Sequence, residues 1–245
     1  MSDRFQGFQE QSFAFFRDLG KNNNKPWFDA HRDLYEQHVL GAFRSLLVRL
    51  EPTLLELNPY FETGGKTNGN FSRINRDIRF AKEKSPYKSN YYLRVYDSRR
   101  SAKNDGCLYV GLSADCLTAG FNTYAAWGRG PKGALETVFR PRFGKERAAF
   151  HQIVKNTVSR GRYETYWHRQ EQRDWAQHPG LPRRDDDWLS LQGWIVRKVF
   201  EPATRGLGTP EFVGKIGKIF RDLYPLYVFT SHAGPQWKRA LRAGP

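Results

Sequence analysis

The densest chemistry in the chain is the run Arg73-Ile74-Asn75-Arg76-Asp77-Ile78-Arg79-Phe80-Ala81-Lys82-Glu83-Lys84-Ser85-Pro86-Tyr87-Lys88. It holds six cations and two carboxylates, so four cations have no counter-charge nearby in sequence. Guanidinium forks match the geometry of phosphate and carboxylate, and ammonium groups add point charge. The expected chemistry is recognition of an anionic ligand, either a phosphorylated small molecule or nucleic acid, by Arg73, Arg76, Arg79, Lys84 and Lys88. If the ligand is nucleic acid, Tyr87, Tyr91 and Tyr92 are candidates for stacking on bases.

Two alternatives use the same residues. In the first, the protein is an enzyme acting on a phosphate- or carboxylate-bearing substrate. Asp77 would be the general acid or base, the arginines would orient the anion, and Tyr87 would be a second proton donor. In the second, Arg76 meets Asp77 or Glu83 in an internal ion-pair network, because a cation on an apolar face must be paired. Function would then lie in partner binding.

The charge distribution singles out the same region. Residues 1–72 carry 8 basic and 9 acidic groups, residues 73–103 carry 10 and 3, and residues 104–245 carry 22 and 13. The formal net charge of +15 therefore begins abruptly at Arg73. Such an excess attracts nucleic acid, anionic lipid or phosphorylated ligands, and equally serves as a solvated surface.

Other motifs yield little. Gly64-Gly65-Lys66-Thr67 lacks the first glycine of a phosphate loop, because Tyr60 stands in its place. Gly128-Arg129-Gly130-Pro131-Lys132-Gly133 matches a dinucleotide-binding string without the strand that should precede it, although Arg129 and Lys132 add anion attraction. Asp185-Asp186-Asp187 reads as a solvated run. No histidine pair has zinc spacing, and no nucleophile elbow is present. No cofactor and no metal are expected. Asn22-Asn23-Asn24 with Trp27 and Arg32 has a pocket-like composition, but helix capping explains the asparagines better.

The elements that must position these residues follow from periodicity. Phe8, Phe15, Phe16 and Leu19 form a helical stripe that Gly20 should stop. Pro26 suits a first helical turn, and Trp27, His31, Leu34, Tyr35, His38, Ala42, Leu46 and Leu50 share a face until Pro52. Strands follow at Tyr91–Tyr96, at Leu108–Ser113 and Cys116–Phe121 as a hairpin about Ala114-Asp115, and at Trp194–Phe200. Phe150, Ile153, Val154 and Thr157 mark another helix. Phe212, Ile216, Ile219, Phe220 and Leu223 mark a last one, closed by Pro225. The basic run itself reads better as a strand than as a helix, with Ser85-Pro86 opening a helix after it. The polar stretch Asp174–Asp187 reads as a surface loop or a weak boundary near residue 180, and the basic end 237–245 as a tail. Helices, then strands, then mixed elements predict a single α+β domain over residues 1–245. N-terminal helices should pack on a mainly antiparallel sheet, with further helices in the C-terminal half.

Residues Arg73, Arg76, Asp77, Arg79, Phe80, Glu83, Lys84, Ser85, Pro86, Tyr87 and Lys88 follow an Arg-x-x-Arg-Asp-x-Arg-Phe pattern with an acidic-Lys-Ser-Pro-Tyr-Lys tail. With Gly7-Phe8, Phe15-Phe16, Asn22-Asn23, Trp27-Phe28, Arg32 and Tyr35, the chain resembles domain-of-unknown-function family 2461 over about residues 5–125. These are conserved hypothetical proteins of bacteria and fungi. The resemblance implies an intracellular α+β fold and supplies no reaction.

The hydrophobic share of 39% excludes global disorder. No apolar run is long enough to cross a bilayer, and the first residues lack a signal-peptide core. Hairpin geometry sets Cys116 opposite Ser113, apart from Cys107, so a disulfide is not expected. Low cysteine content fits a reducing, cytoplasmic setting.

Overall fold

The computed structural model describes residues 5–79, 83–100, 105–125, 132–171 and 174–232. Phe80, Ala81 and Lys82 of the basic run, the glycine string from Gly128 to Pro131 with its Arg129, and the basic tail all lie outside them.

Helix α1 (Glu10–Lys21) buries Phe13, Phe15, Phe16 and Leu19. It passes through Gly20 and ends at Asn22, whose N–H reaches the carbonyls of Asp18 and Leu19. Asn24 then caps α2 (Lys25–Ala30) by accepting the Trp27 N–H at 3.0 Å, with Pro26 in the first turn. A short α3 (Arg32–Leu34) leads into a π-helical turn, Tyr35–Leu40, and then α4 (Gly41–Leu57). The wider turn holds more residues per revolution and so rotates the buried stripe. It runs Tyr35, Val39, Phe43, Leu46, Leu47, Leu50 and Leu54, and Leu34 is left exposed.

Neither proline stops its helix. Pro52 lies inside α4, on the exposed side, and Val48, whose carbonyl loses its donor, is also exposed, so water can satisfy that carbonyl. Pro225 lies inside α7 (Phe212–Thr230), where Leu223, Tyr224, Leu226, Tyr227, Val228 and Phe229 are all buried. That packing outweighs the roughly 3 kcal/mol that an interior proline costs.

The sheet has six strands in the order β1-β2-β3-β6-β4-β5, and every neighbouring pair is antiparallel. They are β1 (Asn90–Val95), β2 (Cys107–Ser113), β3 (Leu117–Tyr124), β4 (Glu164–Glu171), β5 (Asp174–Pro179) and β6 (Leu191–Phe200). The hairpin closes as its sequence requires, with the Ser113 N–H on the Cys116 carbonyl at 3.0 Å. Cys107 stands opposite Asn122, and both thiols are free.

Two strands were not legible. β4 lacks an apolar run, and β5 occupies residues 174–179, where a loop was expected. As the outer edge of the sheet, β5 tolerates a polar sequence and a terminal proline. Beyond it, α6 (Asp185–Leu189) contains the aspartate run. These carboxylates are not simply solvated: Asp185 pairs with Arg147 at 2.6 Å, and Asp187 with Arg184 at 3.2 Å and Arg169 at 3.5 Å.

The helices cover one face of the sheet. Tyr91 of β1 meets Phe43 at 5.3 Å, and Trp194 of β6 meets Phe150 of α5 (Arg140–Val154) at 6.0 Å. By period-2 alternation, the opposite face carries Tyr92, Arg94, Tyr109, Tyr124, Tyr166 and Arg197. Among the described residues, no helix is long and apolar enough to cross a membrane.

Candidate anion site at the sheet edge

The basic run forms neither a regular strand nor a helix. Residues 70–72 lie along the free edge of β1. The Arg94 N–H reaches the Asn70 carbonyl at 2.7 Å, and the Ser72 N–H reaches the Tyr92 carbonyl at 3.0 Å. The chain then leaves the sheet and returns. On the return, the Arg76 N–H bonds the Pro86 carbonyl and the Lys88 N–H bonds the Ile74 carbonyl, each at 2.8 Å. Ser85-Pro86 therefore sits in the returning limb, not at a helix start.

Two asparagines hold this excursion in place. Asn23 brackets Tyr87, donating to its carbonyl and accepting its N–H, both at 3.0 Å. Asn70 is fully buried and donates to the carbonyls of Glu62 (2.6 Å) and Arg94 (3.0 Å), while accepting the Gly65 N–H at 2.9 Å. Asn70→Ala would remove the partner of three part-buried backbone groups, each bond contributing about 0.5–1.5 kcal/mol. We expect a loss of about 2–4 kcal/mol, visible as a lower urea midpoint with an unchanged slope.

The carboxylates of the run are already engaged. Glu83 pairs with Arg76. Asp77 accepts from Arg79 Nε at 3.0 Å and Nη2 at 2.7 Å, and these bonds, with the Arg79 N–H, pull its pKa down to about 2. It stands exposed in the projecting loop. Lys84 turns back to the Ile78 carbonyl at 3.0 Å. Tyr87 is buried and stacked on Phe28, with ring centres 4.1 Å apart, so it belongs to the core. Tyr91 is likewise buried, against Phe43 and Phe71.

Arg73 and Lys88 differ from the rest. Among the described residues, neither side chain has a hydrogen-bond or ion-pair partner. Lys88 is half-buried, and its pKa lies below the ordinary lysine value. Burial is the first cause, followed by the charges of Arg73, Arg94 and Arg76. The fold thus gathers Arg73, Arg76 and Lys88, sets Arg79 and Lys84 on the outer loop, and adds Arg94. The Arg94 Nη2 reaches the carbonyls of Asn68 (3.3 Å) and Gly69 (3.2 Å), while its Nε is buried with no partner among the described residues.

Arg94 sits in the middle of the strand Tyr91–Tyr96, where sequence reasoning passed over it. Alternation already set it on the same side as Tyr92, and that was the available signal.

The asparagine cluster near Trp27 caps and clamps as described, and Arg32 pairs with Asp29 at 2.7 Å. Trp27 stacks on His31 at 4.2 Å beside a shallow hollow of ≈ 100 Å³ that Phe15, Leu34 and His38 also line. Among the described residues, no group of three or more His, Cys, Asp or Glu side chains could hold a metal ion.

The arrangement defines an α+β protein that carries a clamped basic excursion on the edge of an antiparallel sheet. The chain belongs to the family described as conserved hypothetical protein (DUF2461), whose model matches residues 11–229. The match therefore runs well beyond the N-terminal half in which the sequence motifs lie. No curated protein matches the chain.

Proposed function

We propose that the protein binds a phosphate-bearing ligand at the edge cluster Arg73, Arg76, Lys88 and Arg94. The observation that carries this reading is that, among the described residues, Arg73 and Lys88 have no hydrogen-bond or ion-pair partner and stand beside Arg94, whose bonds run to backbone carbonyls, and Arg76, which pairs with Glu83. Holding like charges together opposes folding, and an arriving dianion removes that cost. Asp77 and Tyr87 have no part in this reading, because one is bound by Arg79 and the other is packed in the core. A reducing, cytoplasmic setting remains our expectation, supported by the two free thiols.

Calorimetric titration with inorganic pyrophosphate at two salt concentrations tests the proposal. Arg73→Gln should weaken binding roughly 10-fold or more, the worth of one charge-assisted hydrogen bond. Asp77→Asn should leave binding unchanged or strengthen it, since that carboxylate bonds Arg79 and also feels the charge of Arg73. No binding by the wild-type protein at low salt, or binding insensitive to Arg73→Gln, would end the proposal.

A further inference from the structure

The edge cluster opens onto the sheet face that the helices leave alone. Arg94 stands directly opposite Tyr109, and Tyr92, two residues earlier, opposite Gly111. A side chain at Gly111 would meet the Tyr92 ring at 2.4 Å, and one at Gly193 would meet Tyr124 at 2.7 Å. These rings therefore lie down along the sheet in the places that the glycines vacate.

The ring contacts of Tyr92, Tyr109, Tyr124, Tyr166 and His168 run to one another and to Trp175. Tyr92 meets Tyr109 at 6.1 Å, Tyr166 meets His168 at 5.7 Å, and Tyr124 stacks on Trp175 at 6.4 Å with planes 15° apart. The Arg197 guanidinium lies 5.2 Å from the centre of the Tyr166 ring. All six strands contribute an aromatic or cationic side chain, so the row spans about 24 Å at the usual strand spacing. Two polar atoms on this face, Arg94 Nε and His168 Nδ1, are buried without a hydrogen-bond partner among the described residues. Burial raises the phenol pKa of Tyr92, Tyr109 and Tyr124.

We propose that this face is a platform for single-stranded nucleic acid, with bases stacked on Tyr92, Tyr124 and Tyr166 over the buried Tyr109, and phosphates held by Arg73, Lys88, Arg94 and Arg197, the last of which now pairs with Glu164 at 3.4 Å. The inference rests on the edge reading above. A row of rings and guanidinium groups crossing the sheet exceeds the length of one nucleoside phosphate and suits several successive nucleotides. Stacking also requires unpaired bases, which a duplex does not offer. The formal charge of +15 complements a phosphate chain.

The test is fluorescence anisotropy with labelled 12-nucleotide oligothymidylate and oligouridylate, a duplex of equal length as competitor, and pyrophosphate calorimetry in parallel. Single strands should bind in a strongly salt-dependent way and more tightly than the duplex. Tyr92→Leu and Tyr166→Leu should each weaken oligonucleotide binding about fivefold or more while leaving pyrophosphate affinity within about twofold. Photocrosslinking of a 4-thiothymidine oligonucleotide to the wild-type protein needs no variant, and should label peptides containing residues 90–95 or 164–171. Crosslinks confined to the helical side, duplex binding as tight as single-strand binding, or tyrosine variants equal to wild type would overturn the platform. Pyrophosphate binding without oligonucleotide binding would overturn the platform and leave the edge site standing. Loss of both would remove the two together.

Discussion

Lys88→Glu is expected to weaken pyrophosphate binding by on the order of 100-fold or more and, at the same time, to raise the melting temperature. The binding loss combines one charge-assisted hydrogen bond, worth about 1.5–3 kcal/mol, with repulsion of the ligand by a new carboxylate. The stability gain comes from the neighbours. In the wild-type protein Lys88 is half withdrawn from water beside the charges of Arg73, Arg94 and Arg76. A glutamate there would meet three guanidinium groups, and partly exposed pairs contribute about 0.2–1 kcal/mol each. At this chain length each kcal/mol gained corresponds to a rise of about 2–4 °C.

The pH dependence has a definite sign. The folded pKa of Lys88 lies below its unfolded value of about 10.4, so neutral pH lies on the side where its charge opposes folding, and that cost fades as pH rises toward the unfolded pKa. Phosphate binding needs the charged form and should weaken as pH climbs through the lowered pKa. A melting temperature that falls in Lys88→Glu would mean that Lys88 is held by a carboxylate, and would favour the ion-pair network over the ligand site.

Legibility of the sequence followed the locality of its signals. The α+β class, the capping of α2 by Asn24 and the register that separates Cys107 from Cys116 all rest on residues a few positions apart, and each is found as expected. Pro52 and Pro225 misled because a local breaking rule met long-range packing that outweighs it. β5 was invisible because its partner, β4, supplies backbone hydrogen bonds and no apolar pattern marks an edge strand.

The candidate site shows the same division. The Arg and Lys spacing made the charge visible, but the conformation of the run is set by Asn23, 64 residues before Tyr87. Arg94 belongs to the cluster because residues 66–72 fold against the edge of β1, with Asn68 in the left-handed region at φ 66°. No spacing rule announces either clamp. Nor could alternation tell which side of β1 the helices would cover, and that decides whether Tyr92 is core or surface.

Asp97→Ala should destabilise the protein by about 2–3 kcal/mol, because it strands the buried Asn58 amide while the half-exposed Arg99 can turn to water. Asp97 follows β1 and is 1% exposed. Burial alone would raise its pKa. Arg99 opposes this through Nε at 2.9 Å, Nη2 at 2.6 Å and its backbone N–H at 3.0 Å, and Asn58 adds a bond at 3.3 Å. The net pKa lies below the ordinary aspartate value, so the stabilisation is complete above the unfolded pKa of about 3.9 and is lost as pH falls through the folded one. Truncation leaves the fully buried Asn58 amide and the Arg99 fork without their acceptor.

These residues join the end of α4 to the end of β1, since Asn58 caps that helix and Phe61 bridges Asp97. The cluster itself is fastened separately, by Asn70 and Asn23. Asp97→Ala protein that remains folded at low temperature should therefore bind pyrophosphate with wild-type affinity while unfolding at a much lower urea concentration. That split, opposite to the one expected for Lys88→Glu, separates residues that hold the fold from residues held in readiness for a ligand. Loss of affinity in parallel with stability would show that the two groups act as one network.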